Sequence, residues 1–314
     1  MKSARPRSAA RRNLDSTAIA AFTPIVAVAP VWLLAILVFW WPVHVIWQVS
    51  FAWFAFGYVA AVVLLFLRPV QVWVLAPLMG ARRPTQEQLA TLTPAWRPVL
   101  QANELPGGRY VLATLPSNDL NAFACGGHLV VVTSYAIEAL PRDELTGVLA
   151  HELSHHLGFH TVALTFVQWL SVPVLVLARI GFFLQNVASA ATTSYGSNSS
   201  SLTAIGRTVA ALLTAISWVF LSGLLLSNAL TNIVGKNSEF EADMRVVEMG
   251  FGKSLATALR RFVAEFGADR PLTWRDRLAS SHPPARTRVA RIEATLRSRR
   301  QRSGPEGGNM ASWL

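Results

Sequence analysis

The stretch PRDELTGVLAHELSHHLG, residues 141–158, carries the strongest information on fold and chemistry in this chain. Its two histidines, His151 and His155, are four residues apart, so on a helix about 40° of arc separates them and both imidazoles can face one point. Glu152 reaches the same side, where its carboxylate can accept a proton from a water bound to a metal ion. The proline and acids at 141–144 are typical of a first helical turn. We therefore predict a helix that carries two zinc ligands and a general base.

The HELSH pattern fixes only three residues and therefore also occurs by chance in unrelated helices. The alternative interpretation is a polar surface helix with solvated histidines, but the apolar stripe formed by Leu145, Leu149 and Leu153 argues for packing against a core. His156 lies about 140° from His151 on the same helix, so it points away from the site. A solvated or supporting position fits His156 better than a ligand position.

A catalytic zinc needs a third protein ligand. One known scheme places a histidine six residues after the second histidine, but that position is Thr161, and His160 falls one residue short. A second scheme takes a glutamate from a later helix, and the segment EFEAD at 239–243 offers one. Glu239 and Asp243 would share a helix face, so that one could bind the metal while the other holds a ligating histidine. An acidic first turn of a solvated helix is the alternative interpretation of this segment.

Four sequence blocks in one order resemble the membrane gluzincin metalloproteases, the family of the bacterial heat-shock protease HtpX and the type I CAAX prenyl proteases. The blocks are NAFA at 121–124 before a Gly-Gly turn, HELSH at 151–155, EFEAD at 239–243, and SHPP at 281–284 followed by Arg288. HELSH alone is common, whereas all four blocks in this order are specific. The CAAX prenyl proteases carry more membrane spans than we predict below, so the resemblance is closer to the HtpX-like members.

The resemblance implies a role for each matching residue. The implied zinc ligands, for one Zn²⁺ per chain, are His151, His155 and Glu239. The implied catalytic residues are Glu152, as the base, and His282, as a transition-state or substrate-binding residue. The residues implied to support the ligands are Asp243 and Arg288. The edge strand implied to bind substrate consists of Asn121, Ala122, Phe123 and Ala124.

Membrane segments are predicted by charge and hydropathy. Residues 16–67 contain no Asp, Glu, Lys or Arg, and because one span needs about 20 apolar residues, this stretch is long enough for two. Residues 161–185 and 205–234 form a second apolar pair, and the Ser-, Thr- and Asn-rich residues 188–201 between them read as a loop. Arg179 lies within the third span, which leaves a partly embedded or peripheral second hairpin as the alternative.

The distribution of basic residues predicts the topology. The two predicted hairpin loops have no Lys or Arg, whereas basic residues flank the first hairpin at Lys2, Arg5, Arg7, Arg11, Arg12, Arg68, Arg82 and Arg83. The positive-inside rule then places both termini and the catalytic segments in the cytoplasm. We expect a bacterial inner membrane, and an ER membrane is less favoured by the Ala- and Arg-rich composition. We attribute the net charge of +11 to membrane orientation and to contact with anionic headgroups. We expect no nucleic-acid partner, because the basic residues 286–302 lack interleaved aromatics.

These observations predict an α+β fold: a zincin-like (HExxH gluzincin) catalytic domain interrupted by, and anchored to, a small α-helical transmembrane bundle of about four spans. Glu239 must meet His151 and His155 at one metal, so the two sequence segments that carry them should form one domain. We expect strands at 109–115, 121–124 and 129–133. The predicted divisions are a basic cytoplasmic N-terminus (1–17), a transmembrane hairpin (18–67), the first part of the peptidase domain (68–160), a second membrane hairpin (161–234), the second part of the domain (235–296) and a basic, disordered tail (297–314).

The function implied by the resemblance is an HtpX-like integral membrane zinc metalloendopeptidase. It would hydrolyse peptide bonds of misfolded or unassembled membrane proteins with zinc-activated water, as part of protein quality control and the stress response. Its expected partners are protein or peptide substrates and the lipid bilayer. The alternatives are a CAAX prenyl-type endopeptidase and a non-catalytic membrane scaffold.

Overall fold

The structure, a computed structural model, describes residues 23–158, 160–195, 200–266 and 283–303. The predicted residue His282, the basic N-terminus and most of the predicted tail lie outside these described residues. Within them the chain is mostly helical and contains a three-stranded sheet, which agrees with the expected α+β composition at that level.

Three helices follow the described N-terminal end: α1 (Thr23–Trp47), α2 (Phe51–Leu64) and α3 (Arg68–Leu78). The turn between α1 and α2 is closed by the carbonyl of Val49, which accepts a hydrogen bond from Trp40 Nε1 at 2.8 Å. The side chain of Ser50 caps α2 by accepting from the backbone N–H of Trp53. Helix α3 is bent by 75° from α2, so the chain changes direction sharply after the predicted second span.

The small sheet follows α4 (Gln86–Ala102), whose first turn is fixed by a capping box between Thr85 and Gln88. Its strands are β1 (Val111–Leu115), β2 (Ala122–Cys125) and β3 (Leu129–Thr133). The strand order is β1-β3-β2, with β1 parallel and β2 antiparallel to β3. Strand β2 therefore pairs with β3 on one side, and among the described residues no strand covers its other side.

The predicted HELSH helix is α6 (Arg142–Leu157), which follows the short helix α5 (Ser134–Ala139). Its predicted apolar stripe is fully buried at Leu145, Leu149 and Leu153. These leucines pack with residues of α4, β3 and the later helices in one hydrophobic core. Helix α6 is thus central in the domain and its two histidines have a rigid support.

The remaining helices are α7 (His160–Leu170), α8 (Val172–Tyr195), α9 (Ser200–Met249), α10 (Gly252–Phe266) and α11 (Ala285–Ser303). Among the described residues, three helical stretches are long and apolar enough to cross a membrane, namely Thr23–Trp47, Thr161–Ser194, which runs through α7 and α8, and Thr203–Met249. The count reaches four if the bent pair of α2 and α3 forms one span. A membrane-type bundle is therefore present, while the predicted number of four depends on that pair.

The loop predicted at 188–201 is wrong for its described residues, because α8 runs to Tyr195 and α9 begins at Ser200. The small and hydroxyl-bearing residues that suggested a loop instead allow the two helices to pack closely. A Cβ added to Gly206 would lie 2.1 Å from Thr192 Oγ1. The hydroxyl of Thr192 donates within its own helix to the carbonyl of Ala188, so the helix satisfies it without a loop.

Helix α9 connects the membrane bundle to the sheet-containing domain. Its 50 residues correspond to about 75 Å at 1.5 Å per residue, more than twice the hydrocarbon thickness of a bilayer. The helix passes the predicted division at 234/235 without a break, and its last turns carry Glu239 and Asp243. One rigid element therefore belongs to both the bundle and the site.

Candidate metal centre

Three side chains from two helices converge at the centre of the domain. His151 and His155 lie one turn apart on α6, with their Nε2 atoms 3.2 Å apart. The carboxylate of Glu239 on α9 places one oxygen 3.3 Å from His151 Nε2 and the other 3.3 Å from His155 Nε2. Ligands bound to zinc at 2.0–2.1 Å in a tetrahedron are about 3.3–3.4 Å from one another. The spacing of these three side chains therefore fits a zinc ion.

The chemistry of the donor set fits a catalytic rather than a structural zinc site. Two imidazoles and one carboxylate leave a fourth position for water, whereas structural sites are usually closed by four protein ligands. His151 and Glu239 are buried, and the three residues form a group able to hold a metal ion. The three ligands that the sequence predicted are thus brought together.

Asp243 and Arg288 lie behind the ligands. Asp243 Oδ1 is 3.1 Å from His151 Nδ1, so an Nδ1–H donated to it would leave the Nε2 lone pair available for a metal ion. Arg288 donates from Nε and Nη2 to the two oxygens of Asp243 at 2.9 and 2.7 Å. Its Nη1 lies 3.0 Å from Glu239 Oε2. One guanidinium therefore fixes both carboxylates relative to each other.

The charges around His151 favour a cation at the site. Burial and the Arg288 guanidinium lower the pKa of His151, but the negative charge of Glu239 and hydrogen bonds to Asp243 and Glu239 outweigh them and raise this pKa to about 9. Because zinc binds the neutral imidazole, a metal ion held here would compete with a proton for this residue. Burial also lowers the pKa of Arg288, but hydrogen bonding and charge from Asp243 outweigh it and the net shift is upward, so this side chain stays charged.

The candidate metal site opens into a cavity of about 630 Å³. Glu152, which is 8% exposed, lines it beside the two histidines. The predicted residues at 121–124 form one wall, and Arg288 and the two prolines that follow His282 also line the cavity. His282 itself lies outside the described residues, so its role stays a prediction.

Sequence reasoning missed an apolar wall of the cavity. Helix α10 contributes Leu255, Leu259 and Phe262 to the cavity lining. Their i, i+4, i+7 spacing is a helical stripe that could have been recognised in the sequence. The carboxylate of Glu144 on α6 accepts two hydrogen bonds from Arg261, at 2.7 and 2.9 Å, and so holds α10 against the site helix.

The solvated position considered for His156 is wrong, because the residue is 1% exposed. Its Nε2 lies 2.9 Å from the carbonyl oxygen of Leu129 in β3, and Thr161 Oγ1 lies 3.2 Å from its Nδ1. The imidazole thus ties the site helix to the sheet. It supports the site from the side away from the metal.

Comparisons with known proteins identify the family of this chain. The chain belongs to peptidase family M48, whose family model matches residues 86–296, and the resemblance drawn from the four sequence blocks is thereby confirmed. It is 29% identical over 203 residues to Protease HtpX of Nitrosococcus oceani, covering 58% of this chain and 64% of that protein, a little under two thirds of its length. It is 27% identical over 208 residues to Protease HtpX of Vibrio cholerae, covering 61% and 68%. The match to the crystal structure of S. mikatae Ste24p covers 82% of this chain and 61% of the Ste24p chain, with 16% identity and a TM-score of 0.49.

Removing the guanidinium of Arg288 should destabilise the domain. In Arg288→Ala the carboxylates of Asp243 and Glu239 stay buried without their shared cation, and breaking such a buried pair typically costs about 3–5 kcal/mol. Arg288→Lys should recover only part of the loss, because an ammonium lacks the planar fork that serves both oxygens of Asp243. Thermal unfolding of metal-free protein in detergent measures the effect. Arg286→Ala changes an exposed arginine of the same helix and is the control. Equal melting temperatures for Arg288→Ala and Arg286→Ala would contradict a stabilising role for the Arg288 guanidinium.

Proposed function

We propose that this chain is an HtpX-like integral membrane zinc metalloendopeptidase with a zincin-like catalytic domain of the HExxH gluzincin type. The observation that carries the proposal is the convergence of His151, His155 and Glu239 at tetrahedral spacing, with Glu152 in the same cavity. Membership of a peptidase family supports it. The long helix α9 supports the membrane anchor, because it joins an apolar span to the ligand Glu239.

The proposed mechanism assigns a task to each side chain at the site. His151, His155 and Glu239 would hold the zinc ion, which when bound supplies Lewis acidity and makes a water nucleophilic near neutral pH. Glu152 accepts the proton of the attacking water and then donates it to the leaving amine. Asp243 accepts from His151 Nδ1 and keeps that ring in the ligating tautomer.

The edge strand β2 offers a binding surface for an extended substrate. The backbone N–H of Thr133 donates to the carbonyl of Asn121 at 3.0 Å. The register pairs Ala122 with Val132, and continuing it by one residue places Asn121 opposite Thr133. Because hydrogen-bonded pairs alternate along an antiparallel ladder, Phe123 bonds to β3, whereas Ala122 and Ala124 direct their N–H and C=O groups to the uncovered side. A peptide that adds to this edge would take its affinity from main-chain hydrogen bonds. We infer loose sequence selectivity and a preference for unfolded or unassembled membrane proteins.

Proline substitutions test the edge directly, since proline removes a backbone donor. Ala122→Pro and Ala124→Pro should each raise the KM for unfolded casein with zinc content unchanged, because the lost N–H faces the substrate. Phe123→Pro removes a donor to β3 instead and should lower the melting temperature. Steady-state kinetics, zinc analysis and thermal melts separate these effects. If Ala122→Pro and Ala124→Pro both fold, bind zinc and keep the wild-type KM for casein, substrate binding at this edge is ruled out.

We place the protein in a bacterial inner membrane with its active site in the cytoplasm, on the basis of its apolar helices and its flanking basic residues. A reporter fused after Leu314 and another after Arg83 should both report cytoplasm, and one inserted at Ser197 should report the opposite side. Alkaline phosphatase and green fluorescent protein fusions give opposite signals and control for expression. A cytoplasmic signal at Ser197 would show that the α8–α9 hairpin does not cross the bilayer.

Two substrates distinguish the proposed endopeptidase from the two alternatives, a prenyl-type endopeptidase and a non-catalytic scaffold. Full-length protein in lipid should cleave unfolded casein, lose this activity in a chelator and regain it with zinc. A chain that leaves casein intact but releases the last residues of a farnesylated peptide would be a prenyl-type endopeptidase. A zinc-loaded chain that cleaves neither would be a scaffold.

A further inference from the structure

The turn between β2 and β3 is held by a buried side chain from the membrane side of the molecule. Gln71, which has no exposed surface, accepts a hydrogen bond at Oε1 from the backbone N–H of His128 at 3.0 Å. Gly126 has a φ of +60°, and a Cβ there would lie 2.4 Å from Gln71 Nε2. The turn thus fits closely against this one amide, and a larger residue at position 126 would displace it.

A second contact, from helix α7, holds the same turn. The backbone N–H of Gly126 donates to Thr165 Oγ1 at 3.1 Å, and Thr165 belongs to α7, where the second apolar segment begins. The last residue of β2, Cys125, directly precedes Gly126. Any shift of this turn is therefore transmitted to the strand whose uncovered edge lines the metal cavity.

Gln71 is carried by a helix with the character of a membrane-interface element. Helix α3 turns 75° away from the apolar α2, and its outer surface exposes 68% of Trp73 and 70% of Leu78. The guanidinium of Arg83 lies 4.7 Å from the centre of the Trp73 ring. An exposed apolar face that carries tryptophan and has arginines at its ends is typical of a helix lying at the headgroup level of an anionic bilayer. Gln71 and Leu75 are the buried residues of the central part of α3.

We propose that α3 lies in the bilayer interface and that Gln71, together with Thr165, positions the substrate-binding edge strand relative to the membrane. The inference rests on the proposed peptidase function. Gln71 is a positioning residue, because its contacts are to the turn at 126–128 and not to the metal ligands. Its loss should therefore change how substrate is bound and leave the chemical step as it is.

The test uses full-length protein in liposomes that contain anionic lipid, with unfolded casein as substrate. Gln71→Met keeps the side-chain length but removes the acceptor, and we expect the KM to rise about three- to tenfold, the effect of one buried hydrogen bond, with kcat and zinc per chain unchanged. Thr165→Val should act in the same direction and Thr165→Ser should restore the wild-type KM. The two tethers hold one turn, so the double variant should be non-additive.

Ser227→Ala is the matched control, because this hydroxyl also makes a buried polar contact on the membrane side, to the carbonyl of Pro24, but is remote from the turn. It should leave the KM unchanged. Unchanged KM values for Gln71→Met and Thr165→Val would overturn the inference, as would equal losses of kcat and zinc. If the wild type itself cleaves no casein, the proposed function fails instead, so the two failures are distinguishable.

A spin label at position 73, introduced as Trp73→Cys in a Cys125→Ala background, tests the placement of α3. Power-saturation measurements should give an immersion depth at the headgroup level. A depth near the bilayer centre would mean that α2 and α3 form one broken span, and an aqueous position would mean that α3 is free of the membrane. Either of these results overturns the interfacial assignment.

Discussion

Glu152→Gln is expected to retain zinc and lose cleavage of unfolded casein by about 10²–10⁴-fold or more, the usual cost of removing a proton-transfer group. The substitution keeps the length of the side chain and leaves both histidines of α6 in place, so the metal site should persist. The amide cannot accept the proton of the attacking water. The loss should therefore appear in the rate constant of single-turnover cleavage, with zinc per chain as in the wild type.

Glu138→Gln makes the same chemical change at an exposed residue of α5 and should cleave casein at the wild-type rate. Near-wild-type turnover by Glu152→Gln would contradict the proposed mechanism, because another group would then have to serve as the base. Loss of zinc together with activity in this variant would assign Glu152 to the metal site and not to proton transfer.

Glu239→Gln should remove both zinc and activity. The neutral amide replaces the one anionic ligand, and the buried guanidinium of Arg288 loses one of its two carboxylate partners. Zinc per chain should fall towards zero after dialysis against a weak chelator, and casein cleavage should fall with it. The measurement is zinc analysis of the purified full-length protein, followed by cleavage assays at saturating zinc.

Two variants control for the choice of the third ligand. Glu241→Gln makes the same change two residues along α9, on a face away from the cavity lining, and should keep zinc. His160→Ala tests the ligand scheme that fails by one residue in the sequence, and it should also keep zinc. If His160→Ala loses zinc and Glu239→Gln keeps it, Glu239 is not the third ligand and His160 takes its place.

The parts of the site that depend on local periodicity could be predicted from the sequence. An i, i+4 pair fixes the directions of His151 and His155 within one helix, and the three predicted strands agree with the observed ones to within a few residues. Glu239 required the resemblance to a family, because no local pattern states which distant acid meets the histidines. Its position follows from α9, whose length no window of ordinary helix size would reveal.

The differences between prediction and structure have a common physical cause: a polar or small residue can contact either solvent or a distant part of the chain, and its residue type does not show which. The hydroxyl and small residues of 188–195 suggest a loop in isolation, but they suit the close packing of α8 against α9. For His156 the sequence leaves a solvated or a supporting position open, and the structure shows the supporting one, because the buried imidazole contacts a backbone carbonyl of β3. Gln71 gave no sequence signal, because its importance comes from a turn more than fifty residues away.

Zinc content and cleavage of unfolded casein, measured on one preparation of full-length protein in lipid, test the central claim most directly. The proposed site predicts one zinc per chain, cleavage that stops when a chelator removes the metal, and recovery when zinc is returned. Purified protein that is folded, binds no zinc at micromolar concentrations and leaves casein intact would contradict the account.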